Sequence, residues 1–195
     1  QARSEGMRSG STFAGLLWES DTVRAANVGD SRVYRFTEGQ LQQLSIDHSE
    51  VQRLVSMGLL TPEAARVHPK RNVINQYLGM PSEEIVVEPT LSDALPAQGG
   101  DRYLLCSDGL TDMVEDTAIE KILSQASSPQ EAAARLVQTA LKNGGRDNVT
   151  VLCVFVRKGG ALSGRSTTQK AMLFGSLALG LAGLAFLAEL VYRLL

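Results

Sequence analysis

Hydrophobic residues in the early part of the chain occur in short runs separated by turn-forming residues, a pattern typical of β-strands. Residues 11–18 and 21–28 form two such runs with a short turn between them, and they predict a β-hairpin. Further runs at 33–36 and 41–44 extend the hairpin into an antiparallel meander. Asp30 therefore lies in a tight turn between two predicted strands.

Later segments repeat their apolar residues at helical spacing and begin with capping residues. Ser49 and Ser128 each stand three residues before Gln or Glu, which is the pattern of a capping box. Pro62 and Pro129 occupy a first helical position, where an amide hydrogen has no intrahelical partner to lose. Helices are therefore predicted over residues 49–58, 61–67, 117–124 and 128–141. Strands are predicted over residues 85–91, 101–106 and 149–156, the last two buried and 149–156 central in its sheet.

The last part of the chain changes from polar to apolar. Residues 158–170 are rich in Gly, Ser and Thr and predict a linker. Residues 171–192 carry no charge apart from Glu189, and about 20 residues rising ~1.5 Å each span a bilayer core. They predict a transmembrane helix, with a buried soluble helix as the alternative. Four basic residues lie between positions 157 and 170, and only Arg193 follows, so the globular part is expected to face the cytoplasm.

Composition fits one globular domain with an additional segment. The chain has 195 residues, 44% of them hydrophobic, and a formal net charge of −2, which gives no reason to expect a nucleic-acid partner. Cys106 and Cys153 both lie in apolar runs, where they are expected to pack as small hydrophobic residues. Residues 1–10 are polar and are expected to form coil. The sequence leaves the oligomeric state open.

Three turns that carry aspartate lie next to predicted strands. They are Gly29-Asp30-Ser31-Arg32, Ser107-Asp108-Gly109 followed by Asp112, and Arg146-Asp147-Asn148. If a helical turn begins after Gly109, Asp108 and Asp112 share one face of it. Oxygen ligands with little His or Cys nearby favour magnesium or manganese over zinc, and a pair of such ions suits hydrolysis of a phosphate ester. The alternative is that these turns are ordinary loops without a common site.

Two histidines invite a catalytic interpretation. Asp47, His48 and Ser49 are the residue types of a hydrolase triad, but Ser49 is already explained as the cap of a helix, and we reject that interpretation. His68 precedes a proline that breaks the second helix, and by itself it is expected to be a loop residue.

Together these motifs closely resemble the metal-dependent protein phosphatase family, type 2C, in its bacterial branch. The resemblance covers residues from Gly10 to Val156 and gives a phosphatase-like domain at 11–157. The matching stretches are Gly10-Ser11-Thr12, Gly29-Asp30-Ser31-Arg32, Asp47-His48-Ser49, Leu59-Leu60-Thr61-Pro62-Glu63-Ala64-Ala65, His68-Pro69, Arg71-Asn72-Val73-Ile74, Leu78-Gly79, Cys106-Ser107-Asp108-Gly109-Leu110-Thr111-Asp112 and Gly145-Arg146-Asp147-Asn148-Val149-Thr150.

The resemblance implies a fold and a set of residue roles. The fold is α+β, a four-layer α-β-β-α sandwich, here partial, with the transmembrane helix added at its C-terminus. Asp108 and Asp147 match ligands of one of two core magnesium or manganese ions, through which they act in catalysis. Asp30, Asp108 and Asp112 match the ligands of a weaker third ion, and His68 falls in a mobile flap that contacts substrate or water. The family hydrolyses phosphoserine and phosphothreonine in proteins by direct attack of water.

One part of the family pattern is missing. The family's opening third carries an acidic first strand, a phosphate-contacting arginine and an Asp-Gly-Met-Gly-Gly turn whose aspartate bridges the two core ions, and this sequence has none of them. The chain alone is therefore expected to be poorly active, as part of a longer tail-anchored phosphatase. The alternative is an inactive, membrane-anchored pseudophosphatase that acts as a binding module.

Overall fold

The structure is a computed structural model, and it leaves part of the chain undescribed. It describes residues 10–81 and 86–157 and the backbone of residues 171–175. The predicted N-terminal coil up to residue 9 and the predicted linker at 158–170 lie outside the described residues. Residues 176–192, the larger part of the predicted transmembrane helix, also lie outside them.

Short strands and helices are mixed along the described chain, which gives a mixed α/β fold. In chain order the strands are β1 (Phe13–Glu19), β2 (Thr22–Val28), β3 (Arg32–Thr37), β4 (Gln40–Gln43), β5 (Thr90–Leu91), β6 (Leu95–Pro96), β7 (Arg102–Cys106), β8 (Val151–Phe155) and β9 (Ala171–Gly175). The helices are α1 (Glu50–Ser56), α2 (Pro62–Val67), α3 (Asp108–Thr111), α4 (Asp116–Gln125) and α5 (Pro129–Lys142).

The strands form two antiparallel sheets. In the first sheet the order is β5, β2, β1 and β9, with β6 also paired to β2. In the second sheet the order is β4, β3, β7 and β8. Both sheets consist of antiparallel neighbours, as the α+β prediction requires.

The first four strands do not form the single meander that the sequence predicts. β1 and β2 form the expected hairpin, with Phe13 opposite Val28, but β3 and β4 pair with each other in the second sheet. Gly29 has a φ of +93°, a backbone conformation that glycine adopts readily, and here the chain passes from one sheet to the other. Asp30 therefore lies at the corner between the two sheets.

Two strand predictions differ from the structure at sheet edges. Within the described part of this run, residues 86–91, only β5 is a strand, and it pairs with β2 through two residues, Ala26 and Asn27. The run 149–156 forms β8, which lies at the edge of the second sheet among the described strands and not at its centre. Its side chains are apolar because they alternate between two clusters, with Val151, Cys153 and Phe155 packing toward the helices and Leu152 and Val154 packing between the sheets.

The described end of the chain also differs from the prediction. Residues 171–175 form strand β9, with Leu173 opposite Leu16 of β1, so the predicted start of a transmembrane helix at Ala171 is wrong. Pairing with β1 satisfies backbone groups that an open strand edge would leave exposed. No helix within the described residues is both long and apolar enough to span a bilayer.

Buried side chains join the layers. A cluster between the two sheets takes members from both, including Leu16, Val23, Val33, Tyr103 and Leu105. A larger cluster joins the second sheet to the helices and includes Tyr34, Leu104, Leu110, Ile119, Leu123 and Leu136. The described residues thus show two sheets and one helical layer of the predicted four-layer sandwich.

Side-chain caps begin three helices at the residues that the sequence predicts. The hydroxyl oxygens of Ser49, Thr61 and Ser128 each accept a hydrogen bond from the backbone amide three residues later, at 3.1 to 3.2 Å. These bonds satisfy amide groups that have no partner within the helix. The capping predictions are confirmed.

Candidate metal centre

The central residue of the candidate site is Asp108, which lies where β7 ends and α3 begins. Asp108 is the first residue of α3, and the backbone amide of Asp112 donates to the Asp108 carbonyl at 2.8 Å. The two carboxylates are therefore one helical turn apart, as their spacing predicts. Gly109 between them allows close packing, because a Cβ at this position would collide with the Asn148 carbonyl.

Asp147 is brought to Asp108 by hydrogen bonds at the end of β7. The Ser107 hydroxyl donates to the Asn148 carbonyl and accepts from the Thr150 amide, both at 3.0 Å. The Ser107 amide also donates to the Thr150 carbonyl at 3.1 Å. One serine thus fixes the loop that carries Asp147 against the turn that carries Asp108.

Electrostatic coupling shows that Asp30 belongs to the same group. Burial, followed by the charge of Asp108, raises the pKa of Asp30 to about 6. Burial, followed by the charges of Asp147 and Asp112, raises the pKa of Asp108. All four predicted ligands therefore interact through Asp108, and each ionised neighbour makes ionisation of the next more costly.

The four aspartates have the ligand chemistry that a hard divalent cation prefers, but too few of the described side chains lie close enough together to hold one. Carboxylates that repel one another and have no histidine or cysteine among them suit magnesium or manganese. Nevertheless, the described residues contain no group of three or more His, Cys, Asp or Glu side chains close enough to hold an ion. We interpret the four aspartates as a partial ligand set.

His68 lies in the flap, which the resemblance puts around residues 49–68, and we use the name for residues 49–72 so that it includes the loop after α2. It follows the last residue of α2, and its Nδ1 accepts a hydrogen bond from the Lys70 amide at 3.1 Å. Its predicted contact with substrate or water stays a prediction.

Other flap residues reach the site. Asn72 donates to Asp112 Oδ2 at 3.3 Å, and Arg71 Nε lies 3.8 Å from the same oxygen. Arg66 donates to the Thr111 carbonyl at 3.1 Å. Sequence reasoning missed these contacts, although Arg71 and Asn72 belong to one of the matching motifs and are polar residues in a loop.

The structure agrees with rejecting a hydrolase triad. Asp47 binds Arg32 and not His48, with Arg32 Nη2 lying 2.7 Å from Asp47 Oδ2. His48 Nε2 lies 2.6 Å from the Thr90 hydroxyl, and Ser49 caps α1. None of these side chains forms the serine-to-histidine contact that nucleophilic catalysis needs.

Comparison with known proteins assigns the chain to a family. The protein phosphatase 2C model matches residues 1–149, and the chain therefore belongs to the protein phosphatase 2C family. The resemblance inferred from the motifs is confirmed, and the match begins at residue 1 and not at Gly10. The chain is 45% identical to the serine/threonine protein phosphatase PstP of Mycobacterium tuberculosis over 148 residues, which are 76% of this chain and 27% of that protein. It is 39% identical to the serine/threonine phosphatase stp of Listeria welshimeri over 74% of this chain and 56% of that protein.

Solved structures agree with the sequence comparisons. The crystal structure of Mycobacterium tuberculosis PstP matches with a TM-score of 0.73 and 40% identity, over 80% of this chain and 65% of that one. A PstP catalytic domain in complex with two manganese ions matches with a TM-score of 0.68 and 39% identity, over 78% of this chain and 62% of that one. The chain thus spans between about a quarter and two thirds of the length of these relatives.

Proposed function

We propose that this chain is part of a metal-dependent phosphatase that hydrolyses phosphoserine and phosphothreonine in proteins. The observation that carries the proposal is the convergence of Asp30, Asp112 and Asp147 on Asp108. Burial and then the charge of Asp108 raise the pKa of Asp30 to about 6, and burial and then the charges of Asp147 and Asp112 raise the pKa of Asp108. Carboxylates that destabilise one another in this way are stabilised by a divalent cation. Membership of the protein phosphatase 2C family supports the same chemistry.

Particular residues would hold the ions. Asp108 and Asp147 would bind a core ion, and Asp30, Asp108 and Asp112 a weaker third one. Bound manganese or magnesium lowers the pKa of a coordinated water and neutralises charge on the phosphate oxygens. Arg71 and Asn72, which contact Asp112, stand where the flap meets this set and would orient the phosphoprotein or Asp112 itself.

Activity with a small substrate tests the metal assignment. We would extend the chain at residue 1 with the segment that precedes the matched region in PstP, and measure p-nitrophenyl phosphate hydrolysis with manganese or magnesium. Asp108→Ala and Asp147→Ala are expected to reduce turnover to background, because each removes a core ligand. Asp93→Ala, at an exposed aspartate away from these turns, is the control and is expected to leave turnover unchanged. Full turnover in either ligand variant, or in excess chelator, contradicts the assignment.

The second candidate is a pseudophosphatase that binds partners without hydrolysing them. It is favoured by the lack, among the described residues, of three side chains close enough to hold an ion. Manganese binding discriminates between the two functions. The enzyme requires binding that disappears in Asp108→Ala, whereas a pseudophosphatase shows no binding even in the extended chain.

We further propose that residues 176–192 attach the chain to a membrane, with the phosphatase domain facing the cytoplasm. The support is the sequence: the segment is apolar apart from Glu189, and basic residues precede it. Deleting residues 176–195 keeps β9 and is expected to move the protein from the membrane fraction to the soluble fraction, without loss of small-substrate turnover. Membrane retention of the deleted form contradicts this attachment.

A further inference from the structure

The turn that carries Asp30 is held on one side by His48. The backbone amide of His48 donates to the Gly29 carbonyl at 2.9 Å, and the Gly29 amide donates back to His48 Nδ1 at 3.4 Å. The His48 residue is only 7% exposed, so these bonds are protected from water. The side chain and the backbone of His48 therefore both bind Gly29, the residue immediately before Asp30.

The Gly29 amide determines which tautomer His48 adopts, because an N–H group can only donate. His48 Nε2 lies 2.6 Å from the Thr90 hydroxyl, and the imidazole carries its proton there because Nδ1 faces an N–H group. A hydrogen bond at one imidazole nitrogen fixes the tautomer and hence the role of the other nitrogen. Thr90 on β5 thus accepts from Nε2 and helps to hold the ring with Nδ1 facing Gly29.

The residues after Asp30 are held as well. Arg32 donates to both carboxylate oxygens of Asp47, from Nε at 3.0 Å to Oδ1 and from Nη2 at 2.7 Å to Oδ2. The Ser31 and Thr12 hydroxyl oxygens lie 2.8 Å apart. Bidentate pairing of this kind fixes orientation as well as distance. Asp30 is therefore the residue presented by a turn that is fixed on both flanks.

The same segment reaches the base of the flap. The His48 carbonyl accepts a hydrogen bond from the Asn75 amide at 2.8 Å, and Ser49 pairs with Ile74 in an isolated bridge. A few residues earlier, Asn72 contacts Asp112. His48 thus connects the turn that carries Asp30 with the segment that contacts Asp112.

We propose that His48 is a positioning residue, which holds the Asp30 carboxylate ready for a divalent ion by accepting the Gly29 amide at Nδ1. We call the two hydrogen bonds between His48 and Gly29 the clamp. The inference rests on the proposed function, because it assigns the purpose of the clamp to metal binding. His48 itself touches neither substrate nor ion. A ligand held in advance binds more tightly than one that must be ordered on binding.

Two amide substitutions separate the two nitrogens of the ring. In His48→Asn the side-chain oxygen lies where Nδ1 does and can accept from Gly29, but the contact with Thr90 is lost. In His48→Gln the amide reaches the position of Nε2 and can donate to Thr90, but the Gly29 amide loses its acceptor. The pair is matched in polarity and charge, so it tests the position of one hydrogen bond.

Hydrogen exchange of the Gly29 amide, followed by NMR in the chelator-treated 195-residue chain, measures the clamp without any metal. We expect exchange about tenfold faster in His48→Gln, the factor for one lost hydrogen bond, and within about threefold of wild type in His48→Asn. Equal exchange in wild type and His48→Gln, or equally fast exchange in both folded variants, overturns the proposal. If His48→Gln does not fold, Thr90→Val is used, which is also expected to accelerate exchange because the imidazole loses the partner that holds its Nε2 in place.

Manganese titration followed by electron paramagnetic resonance tests the purpose of the clamp. We expect the Kd for manganese to rise about tenfold in His48→Gln and to stay within about threefold of wild type in His48→Asn. An unchanged Kd in His48→Gln overturns the proposed link to the ion. If wild type binds no manganese, the proposed function fails in this chain, and the link between the clamp and metal binding fails with it. The exchange result still decides whether His48 Nδ1 holds the turn.

Discussion

At the scale of single residues, the site combines side chains that repel one another. Asp108 is central: after burial, the charge of Asp108 is the next cause that raises the pKa of Asp30, and burial and then the charges of Asp147 and Asp112 raise the pKa of Asp108. Elsewhere the described residues satisfy their polar groups, and no buried side-chain nitrogen or oxygen among them lacks a hydrogen-bond partner. The unfavourable electrostatics are therefore localised where a cation would remove them.

Removing one of these charges should stabilise the metal-free protein. Burial raises the pKa of Asp30 from 3.8 in the unfolded chain to about 6. The folded protein therefore pays no ionisation cost at Asp30 below pH 3.8, and this stability is lost as pH rises through about 6. We expect Asp30→Asn to raise the free energy of unfolding at pH 7.5, in chelator, by roughly 1 to 3 kcal/mol. The gain should shrink steadily as pH falls toward 4.

Chemical denaturation at several pH values measures this effect. Asp93→Asn, which changes an exposed aspartate, is the matched control and should shift stability by less than about 0.5 kcal/mol. A gain for Asp30→Asn that grows in acid, or no gain at any pH, would show that the carboxylate is not strained in the folded state.

Sequence patterns predict the candidate ligands better than they predict the residues that hold them. Asp30, Asp108 and Asp147 follow from turns next to apolar runs, because turn residues and strand ends are local features. His48 could not be found in this way, since its partners Gly29 and Thr90 come together only when β5 pairs with β2. Contacts between distant segments have no signature within a short window of sequence.

At the scale of elements, capping chemistry explains why helix starts are well predicted. The Ser128 hydroxyl accepts from the Glu131 amide at 3.1 Å, and Glu131 in turn accepts from the Ser127 amide at 2.9 Å. All these partners lie within five residues, so the sequence specifies them completely. The helix that follows buries Ala132, Leu136 and Ala140 against the second sheet, which ties the local cap to the core.

This coupling makes the cap of α5 matter to the whole domain. We expect Ser128→Ala to lower the free energy of unfolding by about 1 kcal/mol, because one helix amide loses its acceptor. Thr61→Ala removes the same kind of bond from α2, which has no buried residue, and should change global stability by less than about 0.5 kcal/mol. Urea denaturation of the two variants provides the comparison. Equal losses would mean that α2 and α5 contribute alike to the cooperative unit.

The elements that sequence reasoning misjudged are those defined by their partners. β5 is two residues long and pairs with β2 only at Ala26 and Asn27, and β8 is an edge strand whose apolar side chains alternate between the helices and the other sheet. At 171–175 an apolar segment pairs with the edge of β1. Hydrophobicity indicates that such segments are buried, but not whether a sheet, a helix or a membrane covers them.

At the scale of the whole molecule, a buried ion pair connects the two sheets. Arg35 on β3 lies with Nη2 2.6 Å from Asp101 Oδ2, and the same nitrogen donates to the Pro96 carbonyl of β6 at 2.8 Å. Asp101 Oδ2 also accepts from the Gln98 amide at 2.9 Å and the Tyr103 hydroxyl at 3.2 Å. The pair is thus fully hydrogen-bonded and joins a strand of each sheet.

Breaking this pair should destabilise the packing of the two sheets strongly. Asp101→Ala leaves the Arg35 guanidinium buried without a counter-charge, and we expect a loss of about 3 to 5 kcal/mol. The double variant Arg35→Met, Asp101→Asn leaves no buried charge and should lose less than Asp101→Ala alone. Glu50→Ala, at the partner of Arg53 in a surface ion pair, should cost much less than Asp101→Ala, because water screens that pair. Chemical denaturation ranks the three. A double variant less stable than Asp101→Ala would mean that the ion pair itself, and not the avoidance of an unpaired charge, holds the sheets together.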